Sequence, residues 1–253
     1  MPLSSDEELL ALKASEFADT LNQTIRAAVG VGCAPFAVTA LPEDRAAYVR
    51  QQPVDGIPLK TEAGQDLLIL RAAFKCRIGR KDGYFKVWES FFKVFPAPPA
   101  RALPIVRYDF VEDPLGSVPA AHVQFHADHP ALAEALQHTG LATRRGKQRR
   151  ADLQKGRAPQ ASDIHFPIGG RRFRPCLEDL LEVLMDEFGV RCPPGARDHL
   201  REARARWRTI QSRAVVRDAP AEAAKTLREI GYDVTWRGPG DEPVGHSTRL
   251  HEL

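Results

Sequence analysis

Leu10, Ala14, Leu21, Ile25 and Ala28 recur every three to four residues, the spacing that lines one side of an α-helix. The pattern predicts a helix over 5–29, stopped by Gly30 and Gly32. A short helix over 42–51 follows, then a loop through Pro53, Gly56 and Pro58. From Leu67 the period changes. Leu67 to Ile78 is a long apolar and aromatic run, Lys81-Asp82-Gly83 is a turn signal, and Tyr84 to Phe95 is the return strand. Aromatic residues on both of its faces predict a strand covered on both sides for part of its length. Pro96, Pro98 and Pro99 stop it. Leu103 to Phe110 and 121–127 are further strands. Ile164–Ile168 and Arg171–Arg174 read as a hairpin across Gly169-Gly170.

The C-terminal third returns to a helical period. Pro175 suits a first helical turn, and Leu177, Leu180, Leu181, Leu184 and Phe188 form one stripe that ends at Gly189. After Cys192-Pro193-Pro194-Gly195 a long helix is expected over 196–217. Another begins at Asp218-Ala219-Pro220, with Ala223, Leu227 and Ile230 inward. Tyr232, Val234 and Trp236 alternate as a last strand. The expected fold class is α+β: a mainly antiparallel β-sheet of five to seven strands, flanked by N-terminal and C-terminal helices. It is read as a single domain over 1–236, with 175–236 as a helical subdomain and 237–253 as a flexible tail.

The chain has 253 residues, 43% of them hydrophobic, enough for a sizeable core. No apolar run approaches the roughly 18–20 residues that a membrane span needs. The opening MPLSSDEELL is acidic and lacks a signal-peptide apolar region. The expectation is a cytoplasmic protein with no membrane contact. Cys33, Cys76, Cys176 and Cys192 form no C-x-x-C pair and fit no zinc spacing, so free thiols are expected. The formal net charge is only +3, so the placement of charge matters more than its sum.

Candidate chemistry concentrates in Ala121 to His129, which holds three histidines and an aspartate. On a strand, His122, Gln124 and His126 share a face. His122 and His126 are then about 13 Å apart, too far to ligate one metal ion. His126, Asp128 and His129 can converge if the chain bends at Ala127, and His165 can join either end by strand pairing. Asp109, in Arg107-Tyr108-Asp109, could orient an imidazole. Three readings stay open: structural histidines, metal-free acid–base chemistry on a phosphodiester by His122, His126 and His165, and a metal site.

Basic residues follow the histidines. The segment 144–157 holds Arg144, Arg145, Lys147, Arg149, Arg150, Lys155 and Arg157 against one acid, Asp152. It is expected to be a mobile cationic arm. Arg171, Arg172 and Arg174 flank Gly169-Gly170 ahead of a helix, a plausible phosphate site. Arg197, Arg201, Arg204 and Arg208 share one helical face with few acids on the same helix. Such a distribution fits a polyanion, most often nucleic acid, with an acidic protein as the other partner. A solvated surface explains each cluster equally well on its own.

Arg107-Tyr108-Asp109, the strand Ala121 to His126, and Ile164-His165-Phe166-Pro167 through Pro175 before a Leu/Glu-rich helix resemble uncharacterised bacterial families of unknown function. Some of these are linked to toxin–antitoxin or phage-defence loci. The resemblance spans residues 67–188 and implies a nuclease-like or defence role without fixing catalytic residues. The expectation is thus a nucleic-acid-acting protein, with RNA cleavage by the strand histidines as one form of it. The alternatives are a non-enzymatic binding or regulatory partner and a metal-dependent hydrolase. No cofactor is called for.

Overall fold

The computed structural model describes residues 5–33, 35–41, 43–79, 83–97, 103–114, 118–127, 141, 143–158, 160–243 and 245. Helix α1 spans Ser5–Val29. Strands β1 (Phe36–Leu41), β2 (Ala46–Gln51), β3 (Ile57–Lys60), β4 (Asp66–Ile78), β5 (Phe85–Pro96), β6 (Val106–Val111) and β7 (Ala121–Phe125) follow. Helix α2 (Arg144–Gln154), a 3₁₀ turn (Ala161–Asp163), strand β8 (Phe166–Pro167) and one helical turn α3 (Gly170–Phe173) come next. Helices α4 (Leu177–Phe188), α5 (Ala196–Asp218) and α6 (Pro220–Glu229) complete the described elements. The fold is α+β. Its eight-stranded sheet has the order β1-β2-β4-β5-β6-β7-β8, with β3 on the far half of β4, and every pair is antiparallel.

Alternation along the strands gives the sheet two unlike faces. Ala47, Val49, Leu68, Leu70, Phe74, Phe92 and Val94 join one apolar core with Ala14, Leu21 and Ile25 of α1 and with Leu180, Leu181, Leu184 and Leu200 of α4 and α5. Each fully buried Leu or Ile of this layer contributes about 2 kcal/mol. The opposite face carries Tyr48, Arg50, Arg71, Lys75, Phe91, Lys93, Arg107, Asp109, His122 and Gln124, read from the same registers. This second face is not purely polar: Ile69, Ala73 and Phe95 on it are also buried, so β4 and β5 are covered on both sides for part of their length.

Several expectations change. Residues 46–51 form β2 rather than part of a helix. Ala47 and Val49 enter the core while Tyr48 and Arg50 point the other way, and pairing with β4 outweighs local propensity. Ile57–Lys60 is a strand rather than a loop, with Ile57 and Leu59 fully buried. The Gly169-Gly170 hairpin is absent: Gly169, at φ 64, opens α3 instead, and Phe173 N–H donates to Gly169 O. Pro175 precedes α4 by one residue more than expected, because Cys176 is its N-cap. Tyr232, Val234 and Trp236 form no strand, and α6 buries none of its side chains, with Leu227 and Ile230 exposed. The four cysteines are free. Among the described residues, no helix is long and apolar enough to cross a membrane. The turn at Lys81-Asp82, Pro98, Pro99 and most of the C-terminal tail lie outside the described residues.

Candidate functional site

Strands β6 and β7 set Asp109 directly opposite His122. Both are buried, at 7% and 5% exposure. His122 Nδ1 lies 3.1 Å from Pro119 O. A carbonyl only accepts, so Nδ1 carries the proton. His122 Nε2 then faces Asp109 Oδ2 at 3.6 Å. In the neutral ring that nitrogen offers a lone pair to a carboxylate, and only the imidazolium satisfies both sides. Burial nevertheless lowers the His122 pKa, against the opposing pull of Pro119 and Asp109. The Arg107 guanidinium is ion-paired with Asp109. Both His122 nitrogens face protein groups, which leaves neither for a substrate.

His165 joins this pair. Strand β8 places Pro167 opposite His122, and the His122 and His165 rings lie 4.6 Å apart. Gln124 Nε2 donates to Ser162 O at 2.8 Å and lies 3.1 Å from His165 Nε2. Arg145 approaches His165 Nδ1 at 3.1 Å. An amide nitrogen and a guanidinium both donate, while a neutral imidazole has one accepting nitrogen. His165 can satisfy one of these neighbours, and a protonated ring could satisfy neither. Burial first, then Arg145 and His122, push its pKa down to about 4. The ring is uncharged at neutral pH.

His126 stays apart from this cluster. Its backbone N–H donates to Ile105 O, and its Nε2 is buried without a hydrogen-bond partner among the described residues. Burial, Arg107 and Lys93 lower its pKa. Asp128 and His129 lie outside the described residues, and no group of three or more metal-ligating side chains occurs among the described ones.

Residues 144–154 form a helix, which corrects the expected arm. Thr143 Oγ1 caps it by accepting from Gly146 N–H at 3.0 Å, and its Arg, Lys, Gln, Ala and Leu content favours a helix. Its inner side is polar. Arg145 meets His165, Arg149 donates to Asp163 O at 3.4 Å, and Arg157, just beyond the helix, pairs with Asp163 at 3.0 Å. These groups, with Gln148 and Asp152, line a cleft of about 240 Å³ that has His165 on its wall. Its outer side differs: Arg144, Lys147, Arg150 and Lys155 are exposed and have no acidic partner among the described residues. The first turn holds no acid, although the helix dipole favours negative charge there.

The other expected cations are held within the fold. Arg171 pairs with Glu112 at 3.5 Å. Arg172 forks onto Asp218 at 2.6 and 3.2 Å. Arg174 lies 3.6 Å over the Phe110 ring, and burial lowers its pKa to about 9. Arg201 pairs with Asp198 at 2.8 Å. Arg204 binds Asp179 at 2.7 Å and also Glu182, and Arg208 reaches Asp179 at 3.3 Å. Arg204 and Arg208 of the helical face that looked short of acids therefore meet them on α4, while Arg201 pairs within its own helix. What the sequence reading missed is Gln124, Ser162 and Asp163, which tie β7 to His165 and α2. The contacts of Gln124 with Ser162 and His165 join residues about 40 apart in the chain, Asp163 meets Arg149 and Arg157 across a loop, and no local pattern marks them. Compared with protein-family models, curated proteins and solved structures, the chain matches none.

Proposed function

We propose that the protein binds nucleic acid, with α2 as the contact element. The observation behind this is the outer side of α2. Arg144, Lys147, Arg150 and Lys155 are exposed and lack acidic partners among the described residues. They sit beside a cleft walled by Arg145, Arg149 and Arg157 together with Asp152 and Asp163. Arg144 and Lys147, in the first turn at the positive end of the helix dipole, are unfavourable alone and favourable beside an anion. A polyanion meets both the outer row and the cleft.

Binding is better supported than cleavage. His122 has both nitrogens turned to protein, and His165 is flanked by two donors. These rings act as spacers that hold α2 against the sheet. The resemblance noted above implies a nuclease-like or defence role, and nucleic-acid contact is the part of it that this chain's own residues support.

The test is a mobility shift with end-labelled RNA and DNA, run on native and denaturing gels in parallel. The wild type should shift the oligonucleotides without cutting them. The variant R144Q/K147Q/R150Q/K155Q, in which Gln keeps the helix propensity, should lose the shift. Cleavage that survives repurification and is lost in His165→Gln would replace the binding reading with the catalytic one. Absence of any shift at low salt would overturn both.

A further inference from the structure

The charged face of the sheet contains a row that neither α2 nor the histidine cluster explains. Arg71 on β4 lies opposite Lys93 on β5, and Lys93 lies opposite Arg107 on β6. Directly opposed side chains on antiparallel strands are about 5 Å apart, and like charges there destabilise the sheet. The acids do not balance this row. Arg71 donates through Nε to Asp55 O at 3.0 Å and lies over the Phe95 ring at 4.6 Å. The Lys93 ammonium lies 4.5 Å over Phe91 and has no acidic partner among the described residues. Arg107 alone touches a carboxylate, that of Asp109. Burial and the fields of Arg107 and Arg71 lower the Lys93 pKa, against the opposing pull of Asp109. His126, in the field of Arg107 and Lys93, leaves its buried Nε2 without a partner among the described residues.

The row continues across β7. Arg107 faces Gln124, Gln124 reaches His165, and His165 reaches Arg145 on α2. One polar line thus runs from the middle of the sheet to the cationic helix. Beside it stand half-buried rings, Phe91 opposite Ala73 and Trp88 under Lys75 and Arg77. Aromatic rings on a sheet face can stack with bases whose faces are free, which a duplex hides and a single strand offers.

We propose that Arg71, Lys93 and Arg107, which are only partly buried, form a phosphate-binding track for single-stranded nucleic acid, which crosses this sheet face toward α2. This rests on the nucleic-acid reading above and adds the path and the form of the ligand. An anion laid along the row removes the mutual repulsion of the three cations, so the charges that weaken the free protein strengthen the complex.

The test measures anisotropy of labelled 20-mer oligo(U) and oligo(dT), and of a duplex of matched length, over a salt series with the full chain. Single strands should bind more tightly than duplex. R71Q/K93Q should weaken single-strand binding about tenfold and flatten the salt slope by roughly 1.4, at about 0.7 for each phosphate no longer neutralised. Lys93→Gln alone should melt at a higher temperature than wild type, because it relieves like-charge crowding and leaves the Arg71 hydrogen bond to Asp55 O in place. Lys93→Arg should bind as wild type does. Unchanged affinity and slope in R71Q/K93Q would overturn the track and leave the α2 reading standing, as would a preference for duplex. A lower melting temperature in Lys93→Gln would overturn the crowding premise. No binding of any oligonucleotide by the wild type would remove both proposals together.

Discussion

His165 makes the fold sensitive to acid, and the size of the effect follows from its surroundings. In the unfolded chain the ring titrates near 6.5, while in the native protein its pKa is pushed down to about 4. Between these values the unfolded state binds a proton that the native state refuses. Acid therefore favours unfolding. The stabilisation is complete above pH 6.5 and is lost as the pH falls toward 4. At pH 5 the unfolded ring is almost fully charged and the native ring almost fully neutral, a difference of about 2 kcal/mol at most. The ring is partly exposed, and solvent screening brings the expected loss to about 1 kcal/mol. Urea unfolding at pH 7.5, 6.5, 5.5 and 5.0 measures it, with His165→Gln beside wild type. Burial lowers the pKa of His122 and His126 too, so both proteins should weaken in acid. The wild type should lose about 1 kcal/mol more than the variant. Equal losses would refute the lowering of the His165 pKa by burial and by Arg145. Arg145→Gln, which removes the second-largest cause of the shift, should raise the His165 pKa as read by NMR.

Other contacts give sharper stability predictions. Asp218→Asn should cost about 2–3 kcal/mol in urea unfolding, because it leaves the partly buried Arg172 guanidinium without its charged partner. Gly169→Ala should cost about 1–3 kcal/mol by the same measurement, since φ is 64 and a Cβ would meet the Phe173 carbonyl at 2.5 Å. Cys76 is fully buried with its pKa pushed up to about 12. It should stay silent to a thiol reagent in the native protein and react once urea unfolds the chain.

The sequence patterns legible in advance were those that local spacing determines. The Leu177–Phe188 stripe and the long Leu67–Ile78 run have the periods of α4 and β4, and Gly189, at φ 64, ends its helix where expected. Asp109, His122 and His165 do come together, because neighbouring strands set them in register. The errors lay where partners distant in the chain decide. Ala46–Gln51 has a mixed propensity and became a strand through β4. Arg204 and Arg208 looked unpaired, yet the fold sets Asp179 of α4 beside them. Residues 144–157 looked unable to bury themselves because they carry seven cations, two glycines and no aromatic residue. Their helix is held instead by a threonine cap and by polar contacts to His165 and Asp163, which a hydrophobic-pattern argument does not register. The cation row Arg71–Lys93–Arg107 spans three strands and is invisible until the register is known.

The proposed contact is made by cations of α2 that lack an acidic partner among the described residues, rather than by the paired arginines of α5. Its most direct test compares the salt dependence of single-strand affinity in three proteins. These are wild type, R144Q/K147Q/R150Q/K155Q, and R201Q/R208Q. The account predicts that the α2 variant flattens the slope of log affinity against log salt by about 3, at roughly 0.7 for each neutralised phosphate. The α5 variant should leave the slope unchanged, because Arg201 and Arg208 already face Asp198 and Asp179. A slope that survives the loss of the α2 charges and falls with those of α5 would contradict it.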